Sequence, residues 1–180
     1  YGQNRSRASY DDNGDGYTEI GEIKSKTIGA RAFTRPSENT RLTLEYRATE
    51  EFRRGGDQLD KPAHEANITE QTDHQRHGGD INFNYWTDDH KHKLNVYTSL
   101  QDTRRDSYYG SGMDPNAYGS THDLVVLGGA QYTLGINKLL FMPAEFMVGA
   151  EYNYNYLRDI TLGYDHDYLQ KVNIYSGFVQ

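Results

Sequence analysis

Side chains that switch between apolar and polar at every second position leave a chain few ways to fold, and this chain does so along most of its length. Leu42, Leu44, Tyr46, Ala48 and Phe52 fall on one face of residues 41–52, with Glu50 the one exception. Arg41, Thr43, Glu45, Arg47, Thr49 and Glu51 fall on the other. A pleated strand separates these sets; a helix would scatter both around its circumference. The same period returns in Ile28/Ala30/Ala32, Ile81/Phe83/Tyr85 and Leu94/Val96/Thr98/Leu100. It returns again from Leu124 to Ile136, from Ala144 to Tyr156, and in Val172/Ile174/Phe178 against Lys171/Asn173/Tyr175.

Seven strands are therefore expected, at about 23–35, 40–53, 78–87, 92–105, 121–136, 144–157 and 168–180, with an eighth ending near Arg7. Between them, short polar turns (35–39, 88–91, 137–143) alternate with long connections (8–22, 54–77, 106–120, 158–167). In an antiparallel up-and-down meander, this rhythm puts all short turns at one rim and all long loops at the other. Outer-membrane barrels have that asymmetry. Tyr152, Tyr154 and Tyr156 stand at the long-loop end of one apolar face and Phe146 near its short-turn end, as interfacial aromatics do.

Composition fits such a fold. Hydrophobic residues are only 35%, yet 16 tyrosines and 18 glycines are present. A strand shows lipid only half of its side chains, so a spanning β-chain can look hydrophilic. No run approaches the roughly 20 apolar residues of a membrane helix. The net charge of −7 argues against a nucleic-acid partner, and the absence of cysteine excludes disulfides and thiolate chemistry. No nucleophile–base or phosphate-loop motif suggests an enzyme. The start at Tyr1 without an initiator Met, and an end at Val179-Gln180 that reads as a strand cut through, lead us to expect a section of a longer barrel.

Residues 11–22, DDNGDGYTEIGE, match the calcium-loop spacing with Asp11, Asn13, Asp15, Gly16 and Glu22 in place. Hard oxygens on a sharply turning loop suit Ca2+. Thr18 stands where an aliphatic residue is usual, and no amphipathic helix flanks the segment, so a surface calcium loop is expected and not an EF-hand. His74 and His77 are candidate metal or haem contacts, and Tyr108 and Tyr109 are candidate ligand-stacking rings on an exposed loop.

Asp11 to Tyr17, with Lys24-Ser25-Lys26-Thr27 leading into a strand, resembles the calcium-loop region of TonB-dependent cobalamin receptors. Ile68–His74 with Gly78–Asn82 is similar to barrel segments of Bacteroidetes-type receptors of this family, as is Val172–Gln180. The resemblance implies a barrel of about 22 strands around an N-terminal plug, embedded in outer-membrane lipid and energised through the TonB complex. It also implies import of cobalamin, haem or an iron chelate (siderophore), with a surface lipoprotein as a further partner and calcium ordering the external loops at Asp11, Asn13 and Asp15. Two alternatives stay open: a soluble calcium-dependent β-sandwich or small barrel that binds a ligand such as a glycan, and an outer-membrane adhesin or small structural barrel.

Overall fold

The computed structural model describes residues 1–180. Every strand pairs with its neighbour in sequence, giving one antiparallel meander in the order β1 to β8. The strands are β1 (Gly2–Arg7), β2 (Glu22–Thr34), β3 (Thr40–Gly56), β4 (Ile68–Trp86), β5 (His92–Ser111), β6 (Tyr118–Leu139), β7 (Met142–Thr161) and β8 (His166–Val179). Two single-turn 3-10 helices, Ala63–Glu65 and Leu162–Tyr164, are the only helical pieces. The sheet is open: β1 pairs only with β2, and β8 only with β7. No second sheet packs against it, so the sandwich expected as an alternative is not the architecture.

The strands reach further than alternation predicts. β4 begins at Ile68, ten residues ahead of the expected position 78, and takes in His74 and His77, which were expected in a loop. β5 runs on through Tyr108 and Tyr109 to Ser111. The reason is visible in Thr69–His77: both faces of this segment are polar, so period two leaves no trace in hydropathy. The ladder is set by pairing with β3, and Thr72 lies opposite Arg53. The connections shrink accordingly to 8–21, 57–67, 112–117 and 162–165 at one rim and 35–39, 87–91 and 140–141 at the other. The last is a two-residue turn in which Leu140 takes a left-handed φ of 59°.

Residues directly opposite in an antiparallel ladder share a face, so the register sorts every side chain. One face carries Ala30 and Ile28 of β2 and Leu42, Leu44 and Tyr46 of β3. It continues with Phe83 and Ile81, then Leu94, Val96 and Leu100, then Tyr132, Ala130 and Val126, then Phe146, Val148 and Ala150. Among the paired rows from the short-turn rim up to the one through Tyr46 and Val126, no Asp, Glu, Lys or Arg interrupts this face. Above that row it turns polar, with Glu50, Asp73, Asp102, Arg104, His122 and Arg158. The opposite face is polar along β3 to β5, apart from Ile68 and Trp86 at the two ends of β4.

In β8 the apolar set belongs to the other face. Phe178 lies opposite Gly149, Ile174 opposite Asn153 and Val172 opposite Asn155, whereas Tyr175 lies beside Tyr152 on the apolar face. Their ring centroids are 5.0 Å apart.

The ladder also slips steadily. Thr40, the first residue of β3, leads across successive pairs to Tyr85, Leu94, Tyr132 and Val148. Val148 stands six residues beyond Met142, where β7 begins. Four steps thus shift the rim by about 1.5 residues each. At about 3.3 Å per residue and about 4.8 Å between strands, this inclines the strands by roughly 45° to the rim.

There is almost no interior: 11 of 180 residues are buried, and Leu42, Val126 and Val148 are not among them. The one apolar cluster of buried residues, Ala63, Tyr108 and Ala117, lies at the long-loop rim.

Candidate functional site

The polar face has a hollow of about 610 Å³ at the long-loop end. β3 supplies Thr49, Glu51 and Arg53 to it; β4 supplies Glu70, Thr72, His74 and Arg76; β5 supplies Tyr109. Alternate residues along each strand point the same way, which is why the numbering advances by twos. Arg7 of β1, Thr18 and Glu19 of the first long connection and Glu22 at the start of β2 close one side. Glu51 and His74 lie directly opposite, as do His74 and Arg105. Arg53 Nε donates to Glu51 Oε1 at 2.7 Å. The wall is nearly balanced in charge and bears many donors, so it suits a polar ligand held by several hydrogen bonds.

The connection over this hollow is pinned to β3. Thr18 N–H donates to Gly56 O at 3.0 Å, and Gly56 N–H donates back to Thr18 Oγ1 at 2.9 Å. Gly56 sits at φ +112°, and a Cβ there would fall 2.1 Å from Ile68 O, so only glycine fits. Next to it, Asp57 accepts from Ile68 N–H at 3.0 Å and from Asn67 Nδ2 at 2.7 Å. Burial pushes the Asp57 carboxyl upward, but these donors outweigh it and hold the group below its ordinary range.

The expected site residues are only partly brought together. Asp11 accepts from Gly14 N–H at 2.7 Å and Gly16 N–H at 2.9 Å, and Asp15 accepts from Tyr17 N–H at 2.9 Å. Asn13 is tied to Asp15 through both its amide atoms. The third carboxylate near Asp11 and Asp15 is Glu19, with ligand atoms of all three within 4.8 Å of one another. Glu22, expected at this position, begins β2 and pairs with Lys24. Spacing alone could not separate the two, because the placement depends on where β2 starts.

His74 and Tyr109 share the hollow, but His77 points to the opposite face, bonded to Tyr46 Oη at 2.8 Å. Tyr108 also lies on that face. It is 1% exposed, packed edge-on against Tyr118 with centroids 4.8 Å apart, and its hydroxyl donates to Asp114 O at 3.0 Å. Its ring stacks within the protein, unlike the exposed ring expected from sequence. Arg53, Arg76 and Glu51 were missed as site residues, although their shared parity with His74 and Tyr109 was available once the register was known.

No protein-family model matches the chain, and no curated protein sequence matches it.

Proposed function

We propose that this sheet is an arc of an outer-membrane β-barrel in a nutrient-uptake receptor. In this reading the apolar face meets lipid and the polar face lines the lumen. The observation that carries it is the charge-free apolar field over β2 to β7 with no protein layer against it. Left in water, such a field is far larger than a soluble monomer tolerates. The inclination of roughly 45° supports the same reading, since spanning barrels tilt their strands by about 35–45°. β5 and β7, at 20 residues each, are about twice the length needed to cross. Their polar upper halves then stand above the bilayer, with Tyr154 and Tyr156 near the boundary. The open edges at β1 and β8 call for further strands to complete the ring.

The importer role follows the resemblance to TonB-dependent receptors, with cobalamin, haem or an iron chelate as cargo. The hollow around His74, Arg76 and Tyr109 faces the lumen below the loops, where captured cargo would pass. In the same reading a hard cation such as Ca2+ orders the 8–21 connection through Asp11, Asp15 and Glu19. Calcium then slows proteolysis within this connection; Glu19→Gln removes the effect and Glu22→Gln leaves it. Equal behaviour of the two variants would refute the assignment.

Single cysteines test the membrane reading directly, because the chain has none of its own. In intact cells, Leu44→Cys and Val96→Cys should react only with membrane-soluble maleimides. Thr43→Cys and Asn95→Cys should react with charged, water-soluble ones. Equal reaction of both sets with the charged reagent would sink the proposal.

A further inference from the structure

A second hollow on the polar face, about 740 Å³, lies beside the 35–39 and 87–91 turns. Arg31, Arg35, Arg41, Lys93 and His90 contribute to its wall, and no Asp or Glu does. In a chain of net charge −7, a wall with cations and no carboxylate is a marked local reversal. Arg31 has Glu45 at 3.6 Å and Lys93 has Glu145 at 3.1 Å, both from outside the hollow. Arg35 and Arg41 form no ion pair.

The floor is built as well as charged. Asn95 Nδ2 donates to Asn82 Oδ1 at 3.1 Å and to Asn84 Oδ1 at 3.0 Å, and Asn84 Nδ2 donates to Asn82 Oδ1. These amides fix one another and leave the Asn82 nitrogen free to donate. Trp86, stacked with His90 at 6.5 Å, forms a flat wall. Guanidinium groups present paired donors that match carboxylate and phosphate oxygens.

We propose that this hollow binds a small polyanion bearing two or more carboxylate or phosphate groups, at the end of the lumen away from the long loops. The inference rests on the proposed function only in needing the polar face open to water.

The test uses the full protein in detergent, with citrate and inorganic pyrophosphate as probes and putrescine as the cationic control. Binding is read by calorimetry and by the fluorescence of Trp86, the one tryptophan of the chain. Either anion should bind, more weakly as salt is raised, and putrescine should not. Arg35→Gln with Arg41→Gln should weaken anion binding by about tenfold or more, the loss of charge-assisted contacts. Arg5→Gln, on β1 and outside both hollows, should leave it unchanged. Absence of anion binding, equal binding of putrescine, or indifference to the double substitution would each overturn the proposal. Cross-linking of Arg41→Cys to an acidic protein segment that fills the hollow would do so too. The cysteine-labelling result is independent of all these outcomes, so failure here would leave the membrane reading standing.

Discussion

At the scale of single residues, two carboxylates show how local donors set local stability. Asp89, in the 87–91 turn, accepts from Thr87 Oγ1 at 2.6 Å and from Lys91 N–H at 3.1 Å, and its pKa is lowered to about 2. Its unfolded value is about 3.9. A lowered folded pKa stabilises the turn above the unfolded value and stops doing so as pH falls through the folded one. Amide exchange at Lys91 should therefore quicken between roughly pH 4 and pH 2, and Asp89→Asn should flatten that dependence. An unchanged profile in the variant would count against this account. Asp57 works in the same direction at the long-loop rim. There Asp57→Ala strands the Ile68 N–H and the Asn67 amide and should cost about 1.5–3 kcal/mol, the scale for a hydrogen bond to a charged group. Faster proteolysis within 57–67 is the readout.

At the scale of elements, aromatic rings lying over glycines lock neighbouring strands together. Tyr97 of β5 lies opposite Gly129 of β6, and its hydroxyl donates to Glu151 of β7 at 2.7 Å. A Cβ on Gly129 would meet that ring at 2.6 Å and Ala150 O at 3.1 Å. The bond to Glu151 keeps the ring from swinging aside. Gly129→Ala should therefore destabilise by about 1–3 kcal/mol through overpacking. Next along the strand, Gly128 faces the other way and has nothing closer than 3.8 Å, so Gly128→Ala should be tolerated. Urea unfolding of both variants in detergent checks the contrast; equal stabilities would remove the locking role.

At the scale of the whole molecule, the issue is what covers the apolar face. Val148 is 49% exposed. On a face open to water, Val148→Arg would be nearly neutral, whereas near a bilayer midplane it should cost about 2–4 kcal/mol. The matching change on the polar face, Gln131→Arg, should be mild. The two variants compared for assembly into outer membranes distinguish lipid from water without reference to any ligand. Equal assembly would be inconsistent with a lipid-facing surface.

Much of this architecture was legible in the residue order. Alternation located seven strands and the short turns, because a half-covered pleat writes its two environments into successive residues. It also placed Asp11 and Asp15 on one connection. Only the tertiary structure decided what depends on pairing. Residues 69–77 are polar on both faces, so their strand became visible only through the ladder with β3. The face taken by Val172, Ile174 and Phe178 was fixed by register with β7, since a slip of one residue reverses every side chain. The burial of Tyr108 and the meeting of Arg35 and Arg41 with Trp86 join segments across the sheet, and Glu19 takes the place of Glu22 because β2 starts at Glu22. Local sequence carries the period of a strand, but only hydrogen bonding between strands sets which residues meet.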